Sequence, residues 1–120
     1  GRLVFCALII VICDLPAAHK VGGFSAHSQE YFCSVCWCNK TQHGYSNFDS
    51  ATWKRRTNED CCQLAERYHT ATNAKHSASS FDRTGLRWSE LLRLPYYDPT
   101  QFLVVDPMHN LFLGLIKEHF

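Results

Sequence analysis

The sequence lacks any apolar run long enough to cross a membrane as a helix. Its longest, LVFCALIIVIC at Leu3 to Cys13, is about half the ~20 residues a span requires. A small-residue cleavage pattern is also missing after that run. Arg2 precedes it, but Asp14 and Pro16 follow at once, which is unlike a signal peptide. Charge of one sign is scarce: 12 Lys and Arg stand against 11 Asp and Glu, for a net charge of +1 with His neutral. That does not suggest a strong nucleic-acid surface; if a parent protein binds DNA, most of the electrostatic work is expected outside this segment. The one local basic cluster, Lys54-Arg55-Arg56, reads as a solvated surface run. The cysteine count is seven, and an odd count argues against a disulfide framework. Internal repeats and long low-complexity segments are absent as well.

What remains is a chain of 120 residues, 46% hydrophobic and 13% aromatic, with material for a core and no signature of disorder. It starts with Gly and stops inside an amphipathic pattern, so the expectation is a fragment or degenerate copy of something longer. The β-branched run Leu3 to Cys13 predicts a buried strand, apolar on both faces, with Asp14 at its C-terminal end. A short helix is expected from Pro16 to Val21, stopped by Gly22-Gly23. Residues 24–50 read as an irregular insertion around CSVCWC. Thr57 to Asp60 marks a helix start, and Cys61, Leu64, Ala65, Tyr68 and Ala71 make its apolar face. Ser77 to Gly85 reads as a polar loop, and Trp88, Leu91 and Leu92 as a short helix ended by Pro95. A closing strand, Phe102 to Val105, then runs into Asp106, Pro107 and a helix. Met108, Leu111, Phe112, Leu115 and Ile116 make one face of that helix.

Three constellations carry chemistry. A carboxylate at the end of a buried strand, as at Asp14, is rigid and opens onto a cleft; its oxygens suit Mg²⁺ or Mn²⁺. Asp14 also suits a plain N-cap for the next helix, and the two roles are compatible. Cys33 and Cys36 have the spacing at which two thiolates ligate one Zn²⁺ from a tight turn. Cys38 lies at an unusual ligand spacing, so the rest of the shell must come from a distance. Cys61 or Cys62 is the leading third ligand; His109, His69, His43 and His27 compete for the fourth. The alternative is that these cysteines are small buried hydrophobes. Last, Asp106 and His109 sit where the closing strand meets its helix, readable as a capped helix with a satisfied histidine.

Taken together, CDLPAAHKVGGFSAHS at 13–28, the Cys33/Cys36 pair, WKRRTNED at 53–60 and RWSELLRLPYYDPTQFLVVDPMHNLFLGLIKEH at 87–119 mark a resemblance. The chain resembles CACTA-like (En/Spm-type) DDE transposases, most closely the fungal Plavaka-type group, over nearly its whole length. The resemblance implies an α/β chain. Residues 1–23 would supply one central strand of a partial RNase H-like core plus a short helix. Residues 24–120 would form a mostly helical and irregular insertion carrying CxxC and Asp-x-x-His. It implies that Asp14 is the second acidic residue of the catalytic triad, with the first expected before Gly1 and the third beyond Phe120. Cys33, Cys36, Asp106 and His109 would carry the insertion motifs. The position of Cys61 is often His in that family, which favours Cys61 over Cys62 as a ligand. The implied setting is nuclear, with DNA ends as partner, an oligomeric parent protein, Mg²⁺ or Mn²⁺ at Asp14, Zn²⁺ at the Cys/His site, and no membrane. This segment alone is expected to be inactive. The rival readings are a decayed or domesticated zinc- or DNA-binding remnant, and an unrelated zinc-binding interaction domain.

Overall fold

Strand structure begins only at the end of the apolar run. The computed structural model describes residues 1–43 and 49–119, and in it β1 spans Val11–Cys13. It pairs in parallel with β2, Leu103–Val105, in the register Val11↔Leu103, Ile12↔Val104 and Cys13↔Val105. The Val11 N–H reaches the Phe102 carbonyl at 2.7 Å, and the Asp106 N–H reaches the Cys13 carbonyl at 2.8 Å. The expectation of one long strand over Leu3 to Cys13 is therefore corrected. β2 offers three residues, so three residues of the run find a ladder partner, and with Ile12 exposed the strand is not buried on both faces. Upstream, Leu3, Phe5 and Ile9 are 81%, 87% and 79% exposed.

Helix α1, Leu15–Gly22, starts as its sequence dictates. The Asp14 carboxylate accepts the Ala17 N–H at 2.7 Å, and Pro16 occupies the first turn, where its missing N–H leaves nothing unpaired. Gly23 ends it at φ 78°, with the Phe24 N–H on the His19 carbonyl at 2.8 Å. His19 is buried, and its Nδ1 lies 2.5 Å from the Ser25 carbonyl. The chain leaving α1 meets the segment after Gly85 in a short antiparallel crossing. Phe24 faces Leu86, Ser25 donates to the Gly85 carbonyl at 2.9 Å, and Arg87 donates to the Gly23 carbonyl at 2.8 Å.

Helix α2 is Asn58–Thr70, capped by the Thr57 hydroxyl on the Asp60 N–H at 3.1 Å. Its inward face is the expected one: Cys61 and Ala65 are buried, and Leu64, Tyr68 and Ala71 half-buried. Helix α3, Ala74–Thr84, replaces the loop expected at Ser77 to Gly85. Its caps set it, not its apolar content. The Asn73 carboxamide accepts the Lys75 N–H at 2.9 Å, and Gly85 closes it at φ 68°. One aromatic, Phe81, packs edge-on against Tyr68 across the α2–α3 pair. A 3₁₀ turn at Glu90–Arg93 stands for the short helix expected there.

After β2 the chain forms a wide, π-type helix over Met108–Ile116 that continues into α4, Lys117–His119. Its Met108, Leu111, Phe112 and Ile116 are exposed, and the Leu115 side chain lies outside the described residues. The architecture is thus mixed α/β, with the two-stranded parallel sheet and these helices. Its buried centre is Phe24, Cys61 and Leu86, with Trp37, Leu64 and Leu103 packed against it.

Gly23 is the tightest point of this frame. A Cβ built there would stand 2.4 Å from the Arg87 carbonyl oxygen, in a conformation L-residues avoid. Gly23→Ala is expected to cost about 2 kcal/mol or more, since it strains both the backbone and the crossing. Urea unfolding checks this; a loss under ~0.5 kcal/mol contradicts it.

Candidate metal centre and strand-end carboxylates

The parallel register decides which acids meet. Cys13 and Val105 are partners, so Asp14 and Asp106 leave neighbouring strands at the same end of the sheet. Neighbouring strands lie about 4.8 Å apart. Each carboxylate also starts a helix. Asp14 Oδ1 holds the Ala17 N–H, while Asp106 Oδ1 accepts the Met108 N–H at 2.8 Å. Asp106 Oδ2 lies 2.6 Å from His109 Nδ1. The hydrogen bond from His109, then that from Met108, holds the Asp106 carboxyl below the usual carboxylate range.

The cysteine turn forms a second centre. Cys33 and Cys36 Sγ are 3.1 Å apart, and the Cys36 N–H points at Cys33 Sγ at 3.4 Å. The separation is closer than the ~3.8 Å that two ~2.3 Å Zn–S bonds at a tetrahedral angle would set. It is far wider than the ~2.05 Å of a disulfide, and all described cysteines are free thiols. Cys38 brings a third sulfur to 3.6 Å from Cys36. Among the described residues, however, no group of three or more His, Cys, Asp or Glu is arranged to hold a metal ion.

Of the expected ligands, the structure therefore joins Cys33 to Cys36, and His109 to Asp106 rather than to the thiols. Cys61 is 1% exposed and belongs to the Phe24–Leu86 centre. Burial pushes its thiol up to about 11, against the pull of the nearby Arg56 charge. Burial, followed by the neighbouring Cys33 and Cys38 thiols, pushes Cys36 up to about 12. Any metal taken up here must displace protons from these thiols.

Arg56 is the residue that the sequence hides. Lys54 and Arg55 are exposed as a solvated run should be, but Arg56 is 4% exposed. Nothing in a run of three cations marks which one turns inward. Its Nε donates to the Cys33 carbonyl at 3.0 Å and the Cys36 carbonyl at 3.3 Å. Both terminal nitrogens donate to the Thr84 carbonyl at 3.1 Å. The guanidinium carbon lies 4.1 Å from the centre of the Trp37 ring, a cation–π contact. Burial lowers the Arg56 pKa, while the thiols of Cys61, Cys33 and Cys36 favour its charge. The cation thus pins the cysteine turn to the end of α3 and sets a positive charge beside three thiols.

No family model, curated protein or solved structure matches the chain.

Arg56→Met is expected to destabilise the chain by roughly 3 kcal/mol, because the buried Cys36 carbonyl and the half-buried Cys33 and Thr84 carbonyls lose their donor. Denaturant unfolding measures it. A change below ~1 kcal/mol would show that water replaces the guanidinium at no cost.

Proposed function

We propose that this chain is a segment of a DDE-type DNA transposase, with β1, α1 and Asp14 belonging to an RNase H-like catalytic core. The observation that carries the reading is the placement of Asp14. It ends a strand of a parallel sheet, at the same C-terminal end as Asp106, where α/β proteins bind ligands. Its Oδ1 caps α1, and its other oxygen makes no hydrogen bond among the described residues. That oxygen fits a Mg²⁺ or Mn²⁺ ligand. The ion, when bound, would activate an attacking oxygen and stabilise a leaving one at a DNA phosphodiester. Asp14's own task is to hold one coordination position on a rigid strand end. The other acidic partners of such a centre are expected outside this segment, so the segment by itself would not cut or join DNA.

In the same reading Cys33 and Cys36 hold Zn²⁺ in a structural module. The two sulfurs, 3.1 Å apart on one turn, are placed to share one metal ion. Cys61 and His109 are proposed to complete the shell, which requires His109 to leave Asp106 and Cys61 to leave its place beside Phe24 and Leu86. The protein would act in the nucleus, on transposon ends, within an oligomer.

Two measurements bear on this. Asp14→Ala should cost about 1 kcal/mol by removing the cap, while Asp14→Asn should cost only a few tenths. Paramagnetic broadening by Mn²⁺ should centre on residues 13–15 and disappear in Asp14→Asn. Broadening centred elsewhere would sink the metal role and leave the cap. Separately, chain purified under reducing conditions should carry one zinc by elemental analysis. Cys33→Ser and Cys36→Ser should abolish it and Cys6→Ser should not; zinc-free chain would remove the module from the proposal.

A further inference from the structure

A cleft of about 390 Å³ opens along α1, and neither Asp14 nor the cysteine turn lines it. Ligand pockets run from ~300 to ~1,000 Å³, so it has room for one small polar molecule. Its charged lining is of one sign. Lys20 and Arg87 both contribute, and no carboxylate does. Neither cation is in an ion pair among the described residues. Arg87 is held in place by a hydrogen bond from Nη2 to the Lys20 carbonyl at 3.4 Å, and its guanidinium carbon lies 6.0 Å from the Phe81 ring centre. Two like charges lining one cleft repel, and an anion between them relieves that repulsion.

The rest of the lining suits a flat, partly polar body. Phe24 and Phe81 supply ring surface, the first buried and the second half-buried. His19 supplies an acceptor. Its Nδ1 faces the Ser25 carbonyl, which fixes the proton on Nδ1 and leaves Nε2 bare. Burial lowers the pKa of the ring below that of a free imidazole, so it stays neutral at physiological pH. An inorganic anion would use the cations and leave the rings and the acceptor idle.

We propose that this cleft binds a nucleotide unit, with its phosphate on Lys20 and Arg87 and its base against Phe81 within reach of His19 Nε2. The unit comes either from a single strand of nucleic acid or from a free nucleotide; both present the same phosphate and base. The inference rests on the cleft and does not require the transposase reading.

Titration of the full chain with a labelled oligothymidine and, in parallel, with thymidine monophosphate tests it. At least one should bind, with NMR shift changes concentrated at His19, Phe81 and Arg87. Tighter binding of the oligomer identifies a strand as the source, and equal binding a free nucleotide. Lys20→Gln changes an exposed side chain and should keep the fold. It is expected to weaken binding about threefold or more and to shrink the salt slope of a strand by ~0.7. Phe81→Leu should weaken it about fivefold or more through lost stacking. No binding of either ligand overturns the proposal, as does affinity unchanged in both Lys20→Gln and Arg87→Gln. If Lys54→Gln and Arg55→Gln weaken oligomer binding while Lys20→Gln and Arg87→Gln do not, the cleft is overturned and DNA contact elsewhere stands.

Discussion

One buried guanidinium ties the described chain together. Arg56 joins the cysteine turn, the end of α3 and the Trp37 ring through four hydrogen bonds and one ring contact. A lysine could not do this, since a single ammonium lacks the planar fork that reaches three carbonyls at once. Remove the cation and the turn carrying Cys33 and Cys36 loses its anchor. The antiparallel crossing of Phe24 with Leu86 then loses the neighbour that covers it, because Arg56 also lies 5.9 Å from the Phe24 ring. The same charge sits beside Cys61, so the core and the thiols share one electrostatic neighbour.

Local chemistry made much of the fold legible. Asp14 with Pro16, Thr57 with its acidic first turn, and Asp106 with Pro107 each announce a helix start that the structure contains or closely follows. The inward face of α2 followed from spacing alone. Helix α3 did not, because AKHSASSFDRT has one large apolar side chain, and its helical stripe of Ala74, Ala78 and Phe81 is mostly alanine. Its signals were the pair of caps at Asn73 and Gly85, which a reading weighted toward hydrophobicity passes over. The strand length was also illegible. A run of β-branched residues states a preference, while the partner decides how much of it becomes sheet.

The candidate site shows the same division. The closeness of Cys33 and Cys36 follows from a two-residue spacing, a local fact. That Asp14 and Asp106 stand at one sheet end, though far apart in sequence, depends on a parallel register that no local pattern encodes. The inward turn of Arg56 and the meeting of Lys20 with Arg87 across the α1 terminus are tertiary in the same sense. Spacing finds pairs of ligands, and only topology assembles them.

The exposed residues before β1 have a consequence of a different kind. Leu3, Val4, Phe5 and Ile9 stand in solvent immediately ahead of a short strand whose outer edge has no described partner. An apolar, β-branched segment leading into an open edge is a template for another extended chain. The described molecule therefore carries a colloidal weakness distinct from its conformational stability. Its solubility depends on concentration and on what shields those residues, even where the Arg56 knot and the Gly23 crossing keep every other element in place.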